Sequence, residues 1–96
     1  MRLELRIVRS FVAVLDHGTV IEASRARGYS PAAISRQLSA LQQTLNVRLF
    51  EPDGRSIRPT SAALRFGERA RLMLAAVDEF EHHARSFRSS AGQTES

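Results

Sequence analysis

Apolar positions recur along this chain at helical spacing, broken by one short extended stretch. Between Ser30 and Leu45, residues Ile34, Leu38, Leu41 and Leu45 step by 4, 3 and 4, which lines one side of a helix. The far side collects Ala32, Arg36, Ser39, Ala40 and Gln43, a slim polar front with a single guanidinium. Ser30 is placed to cap the N-terminus, and Pro31 takes the first helical position, where a missing N–H costs nothing. A helix with an apolar back, a narrow front and hydrogen-bonding side chains near its N-terminus has the shape that enters a DNA major groove.

The same pattern predicts two helices before this one. The first runs roughly from Leu3 to Asp16, with Val8, Phe11, Val12 and Leu15 on the core side and Arg2, Arg6 and Arg9 towards solvent. His17-Gly18 ends it. The second opens with Thr19-Val20-Ile21-Glu22, the spacing of a capping box, and turns Val20, Ala23, Ser24 and Arg27 inward. Gly28-Tyr29 then makes a short turn into Ser30-Pro31. Two short helices joined this way form a helix-turn-helix, and the small Ala23 and Ser24 let them cross closely.

After Leu45 the period changes. Val47, Leu49 and Ile57 lie in short extended runs, and Pro52-Asp53-Gly54 is a strong turn signal. A two-stranded hairpin carrying Arg48, Arg55 and Arg58 is expected, placed like the wing of a winged helix and able to reach phosphates or a narrow minor groove. The alternative is a solvated loop whose charges keep it soluble. From about Thr60-Ser61 to Arg88 a long helix follows. Ala63, Phe66, Ala70, Met73, Val77, Phe80, Ala84 and Phe87 alternate steps of 3 and 4 throughout, an apolar a/d repeat. At 1.5 Å per residue it is about 40 Å long, more than so small a domain needs. Part of the stripe should pack on the first helix and the remainder on another chain; a single helix lying on its own domain would leave Phe80 and Phe87 wet. Periodicity stops at Ser89, so residues 89–96 are expected to be a polar tail or hinge.

Composition narrows the function. With 96 residues there is one small core, marginal by itself, which pairing with a second copy would offset. All 14 basic residues are arginine, and the net charge is +4. Residues 1–71 carry +6 and residues 72–96 carry −2, a basic body suited to a polyanion and a mildly acidic end; an arginine-rich soluble domain is the plainer alternative. The absence of cysteine excludes disulfides, thiolate metal sites and thiol nucleophiles. No apolar run approaches the ~18 residues of a membrane span, and the charged N-terminus is no signal peptide, so a cytoplasmic location is expected, away from membranes. His82 and His83 are adjacent and face different ways, so they make no metal pair. The serines lack a His/Asp pattern, and no glycine-rich loop could cradle a phosphate. The chain reads as non-catalytic, without cofactor or metal.

These residues together resemble the N-terminal DNA-binding domain of LysR-type transcriptional regulators. The resemblance spans about Leu3 to Arg88. It is carried by F-V-A-V at 11–14, Gly18-Thr19, Ala23-Ser24, S-P-A-A-I-S-R-Q-L at 30–38, L-x-x-x-L-N-V-R-L-F-E at 41–51 and R-S-I-R-P-T-S-A-A at 55–63. It implies a mostly α winged helix-turn-helix with a short β-hairpin wing (residues 1–60) and a long C-terminal linker helix (61–88) that pairs antiparallel with a second copy. Function is then sequence-specific binding of double-stranded DNA, at an inverted repeat, by a homodimeric bacterial transcriptional regulator.

Carried over position by position, the DNA-binding set is Thr19, Ser30, Pro31, Ala32, Ala33, Ser35, Arg36, Gln37 and Ser39, with Arg55 and Arg58 on the wing. Arg36 has the best physical claim, because its fork can grip guanine or a phosphate. The dimer interface is Phe66, Ala70, Met73, Val77, Phe80, Ala84 and Phe87. Four positions depart from the family pattern. Pro31 stands where a base-reading Gln is common, Pro52 where a wing Arg is frequent, and Ala63 where Gly is frequent. Arg27 replaces a core leucine, so either its stem packs while its head snorkels or the second helix ends a turn early. The family's effector-sensing domain is not in these residues, which implies that any effector acts through a domain outside them; the chain is either the DNA-binding half of a longer protein or a natural short form. The rival reading is a protein-interaction module that keeps the fold and dimerises without reading DNA.

Overall fold

The computed structural model describes residues 1–95, with side chains through Ser89. It is a mostly helical winged helix-turn-helix: α1 (Leu5–His17), α2 (Val20–Arg27), α3 (Pro31–Leu45), β1 (Phe50–Asp53), β2 (Ser56–Pro59) and α4 (Ser61–Glu95). Val8, Phe11, Val12 and Val14 make α1 the buried centre, against which α2, α3 and α4 all pack. The helix starts at Leu5, after Leu3, because Glu4 rather than an earlier residue takes the extended cap conformation. Its end is as the sequence predicts: Gly18 adopts a φ of 86° and returns its N–H to the Val14 carbonyl, a conformation that costs glycine little.

Short-range capping sets the helix-turn-helix. Thr19 Oγ1 accepts the Glu22 N–H at 3.1 Å, one half of the expected capping box. Glu22 does not complete it; its carboxylate pairs with Arg25 at 3.0 Å instead, one turn along the exposed face. Ser30 Oγ accepts the Ala33 N–H at 3.1 Å and opens α3. Ala23 and Ser24 are buried where α2 meets its neighbours, and Ile34, Leu38 and Leu41 close the core from α3. Helix α2 continues through Arg27, which decides between the two readings of that residue. The Arg27 stem packs and its head stays in register with polar groups: Nε donates to Ser10 Oγ at 3.2 Å, a terminal nitrogen donates to the Arg6 carbonyl at 2.9 Å, and the guanidinium lies 5.4 Å from the Tyr29 ring centre.

The hairpin forms, but later than the extended pattern suggests. Val47, Arg48 and Leu49 belong to the connection before β1, and Leu49 is wholly buried. Strands β1 and β2 pair antiparallel, with Phe50 opposite Pro59 and Asp53 opposite Ser56. Gly54 and Arg55 form the two-residue tip, with Gly54 at a φ of 62°, the left-handed geometry such turns require.

Helix α4 divides its apolar residues between two faces. Ala63, Gly67, Ala70 and Leu74 turn onto the domain. At Gly67 an added Cβ would lie 2.6 Å from Leu15 Cδ1, so glycine permits the close approach to α1. Ion pairs from Arg71 to Asp16 at 2.6 Å and Arg9 to Asp78 at 2.8 Å flank this seam, each exposed and so of little energetic weight. Ala70 is therefore packed largely within its own chain, and its remaining surface borders an apolar groove together with Phe66 and Met73. Leu74, outside the a/d repeat, is buried beside it. The helix also runs on to Glu95, past the Arg88 where the repeat stops, because backbone hydrogen bonds need no apolar residue and no proline interrupts them.

Phe11 is 1% exposed and meets the Phe50 ring edge-on, with centroids 5.9 Å apart. Phe11→Ala should lower the free energy of unfolding by about 3–5 kcal/mol, measured by urea denaturation.

Candidate nucleic-acid interface

The front of α3 is built from what its back leaves over. With Ile34, Leu38 and Leu41 committed to the core, Pro31, Ala32, Ser35, Arg36, Ser39 and Gln43 are exposed. No carboxylate occurs between Glu22 and Glu51, while Arg25, Arg27, Arg36 and Arg48 do. The surface is thus slim, uniformly non-acidic and rich in donors, which suits the acceptor-lined floor and anionic walls of a nucleic-acid groove.

The expected site residues separate into groups. Ser30, Pro31, Ala32, Ser35, Arg36 and Ser39 share the exposed front, and Ala33 is half-buried at its edge. Thr19 stands apart at the start of α2; its hydroxyl oxygen is occupied by the Glu22 N–H, leaving the hydroxyl proton to donate. Gln37 is the exception. It is only 7% exposed, and its Oε1 is buried with no partner. Position 37 lies three residues after Ile34 and four before Leu41, so the helical period places it on the core row, not on the front. On the wing, Arg55 sits exposed at the tip, with no ion pair among the described residues. Arg58 is bound across the ladder to Glu51 at 2.9 Å, so its charge is partly offset.

One functional residue escapes the periodicity altogether. Gln42 Oε1 accepts two backbone N–H groups, from Leu49 at 2.8 Å and Phe50 at 3.1 Å. That side chain fixes the start of the wing to the last turns of α3. Thr60 secures the other end: its N–H donates to the Leu49 carbonyl at 2.9 Å, its hydroxyl donates to the Arg48 carbonyl at 2.8 Å, and Oγ1 also accepts the Ala63 N–H at 3.2 Å. Between α3 and the wing lies an open cleft of about 330 Å³, bordered by Ser35, Ser39, Gln42, Arg48 and Ile57. Glutamine at position 42 sits seven residues from its nearer partner, so only knowledge of the turn after α3 would have revealed it.

Comparison with known proteins agrees with this geometry. The family described as "Bacterial regulatory helix-turn-helix protein, lysR family" matches residues 5–64. The transcriptional regulator TfdS of Cupriavidus pinatubonensis is 42% identical over 72 residues, covering 75% of this chain and 24% of its own length. ClcR of Pseudomonas putida is 40% identical over 72 residues, with the same coverage of 75% and 24%. The chain therefore spans about a quarter of the length of these curated relatives. Among solved structures, a CbnR_DBD–DNA complex superposes with a TM-score of 0.80 at 32% identity, covering 88% of this chain and 97% of that one. A complex of BenM_DBD with catB site 1 DNA gives 0.84 at 28% identity, with 91% and 98% covered.

Replacing Gln42 by leucine leaves the Leu49 and Phe50 amides without their acceptor. Stability should fall by about 1–3 kcal/mol, and amide hydrogen exchange should rise at Leu49 and Phe50 ahead of the α1 core.

Proposed function

The chain belongs to the lysR family of bacterial regulatory helix-turn-helix proteins, and from that premise we propose that it reads double-stranded DNA as a homodimer in transcriptional regulation. The single observation that carries the reading is the exposed, carboxylate-free front of α3, with Arg36 at its centre and the wing clamped beside it. In this reading α3 enters the major groove. Arg36 supplies the one guanidinium on the front, suited to bidentate contact with guanine or a phosphate. Ser35 and Ser39 add short hydrogen-bonding groups, Thr19 reaches the backbone from α2, and Arg55 does so from the wing tip. Pro31 offers no amide, so discrimination rests more heavily on Arg36.

The dimer reading draws on α4. Phe80 and Phe87 are 73% and 67% exposed, large aromatic rings on the part of the helix that extends beyond its packing on the domain. With Phe66 and Met73 they recur every seven residues. That spacing suits antiparallel pairing, which sets Phe66 against Phe87 and Met73 against Phe80 of a second copy. Phe66 and Met73 border an apolar groove of about 270 Å³ with Leu3, Leu41 and Leu45, space for the Phe87 ring that such pairing delivers. Val77 and Ala84 complete the seam. Two α3 helices held by one α4 pair would meet an inverted repeat on one face of the duplex. Effector recognition belongs, on this reading, to sequence that the longer relatives carry outside the matched quarter. Among the described residues no helix is long and apolar enough to cross a membrane.

The test is a fluorescence-anisotropy titration on selected genomic fragments and on random duplex at several salt concentrations. Steeply salt-dependent binding with retention of a few fragments under competitor is expected; no binding at low salt would overturn the DNA reading. Arg36→Ala should cost about 1–3 kcal/mol on the selected fragments, and equal loss on every sequence would make Arg36 a phosphate contact. Phe80→Asp should give monomers by analytical ultracentrifugation, and an unchanged dimer would refute the α4 seam.

A further inference from the structure

On the flank of α3 away from the wing, the start of α1 and the α2–α3 turn enclose a cleft of about 350 Å³ bordered by Arg6, Ile7, Tyr29, Ala33, Arg36 and Gln37. Gln37 is the telling residue. Its side chain is more than nine-tenths buried, Oε1 has no partner, and none of the described hydrogen bonds uses its carboxamide. A buried polar group without a partner is uncommon in a folded protein and points to a ligand or solvent that completes it. The two ends of a carboxamide exchange by a half-turn about its last bond, so it can offer N–H donors to the cleft.

The surroundings select an anion. Arg6 from α1 and Arg36 from α3 bracket the opening. Behind the Tyr29 wall stands the Arg27 guanidinium, held to Ser10 Oγ and the Arg6 carbonyl. No carboxylate borders the cleft. Among the described residues Arg6 pairs with Glu4 at 2.8 Å on the open surface, where water and salt compete with the pair and leave Arg6 able to turn. Two guanidinium forks and an amide donor around a small opening match the non-bridging oxygens of a phosphodiester.

We infer that this cleft, through Arg6 and Gln37, takes a backbone phosphate of the DNA strand that borders the major groove on the side away from the wing. The inference rests on the DNA-binding reading above and deepens it. The wing flank of α3 presents Ser35, Ser39 and Gln42, and the cleft flank presents Ala33, Arg36 and Gln37. A helix lodged in the groove thus meets one phosphate wall at the wing and the other at this cleft, which fixes how far α3 rolls about its own axis.

The test uses the whole chain in anisotropy titrations on a selected fragment and on random duplex across a salt series. Arg6→Ala should weaken both by a similar factor and lower the slope of log K against log salt by about 1; the Arg6 carbonyl that holds Arg27 remains. Gln37→Leu should weaken both several-fold with an unchanged slope, while thermal unfolding shows a fold at least as stable as wild type, since an apolar side chain relieves the unpartnered amide. An unchanged slope in Arg6→Ala, or wild-type affinity in Gln37→Leu, overturns the inference while the DNA-binding reading stands. Failure of the wild-type chain to bind any duplex overturns both. If inorganic phosphate at matched ionic strength raises the melting temperature of wild type but not of Arg6→Ala, and the DNA slopes are equal, the cleft takes free phosphate and the inference is again overturned.

Discussion

Phe11 occupies the point where the helical body, the wing and the long helix converge. Its ring packs edge-on to Phe50 at the first residue of β1, and with Val8 it shares an apolar lining with Leu41 of α3 and Ala70 of α4. Every surface that could meet a partner is therefore held by α1, which exposes few groups of its own. A core this small has little to spare, so the loss of one aromatic ring would loosen the α3 front, the wing and the α4 seam together.

Polar clamps add what apolar packing cannot. Hydrophobic contacts set how near the elements lie but are non-directional. Gln42 and Thr60 hold the two ends of the hairpin through directed hydrogen bonds to named backbone groups, and Arg27 ties α2 back to α1. These are the contacts that orient the wing against α3 and α2 against α1. Orientation matters because a groove-bound helix must meet base edges and both phosphate walls at once.

The long helix has two apolar faces, one packed on the domain and one left exposed. Ala63, Gly67 and Ala70 are buried and consume one stripe, and at Gly67 α1 lies so close that a side chain would meet Leu15. Phe66, Met73, Phe80 and Phe87 run beside that stripe; the first two are partly covered by the domain and the last two stand largely exposed. The exposed rings are large and regularly spaced, the kind of surface that the proposed pairing would cover.

Local sequence settled the elements. The 4-3-4 spacing in α3, the Thr19 and Ser30 caps and the glycines at 18 and 28 act within a turn or two of chain, so the limits of α2 and α3, the helix-turn-helix and the presence of a hairpin were legible in sequence, whereas the start of α1 and the end of α4 were not. The α3 front, too, follows from period alone. So does the burial of Gln37, which shares the row of Ile34 and Leu41 although its polar type suggests the front. Three features were decided only by tertiary packing. The Gln42 clamp depends on where the chain turns after Asn46. Arg58 looked free until the strand register set it opposite Glu51. In α4 the a/d repeat could not tell the α1 seam from the exposed one, since a helix shows its whole apolar arc in sequence and only its neighbours choose which part of that arc is covered.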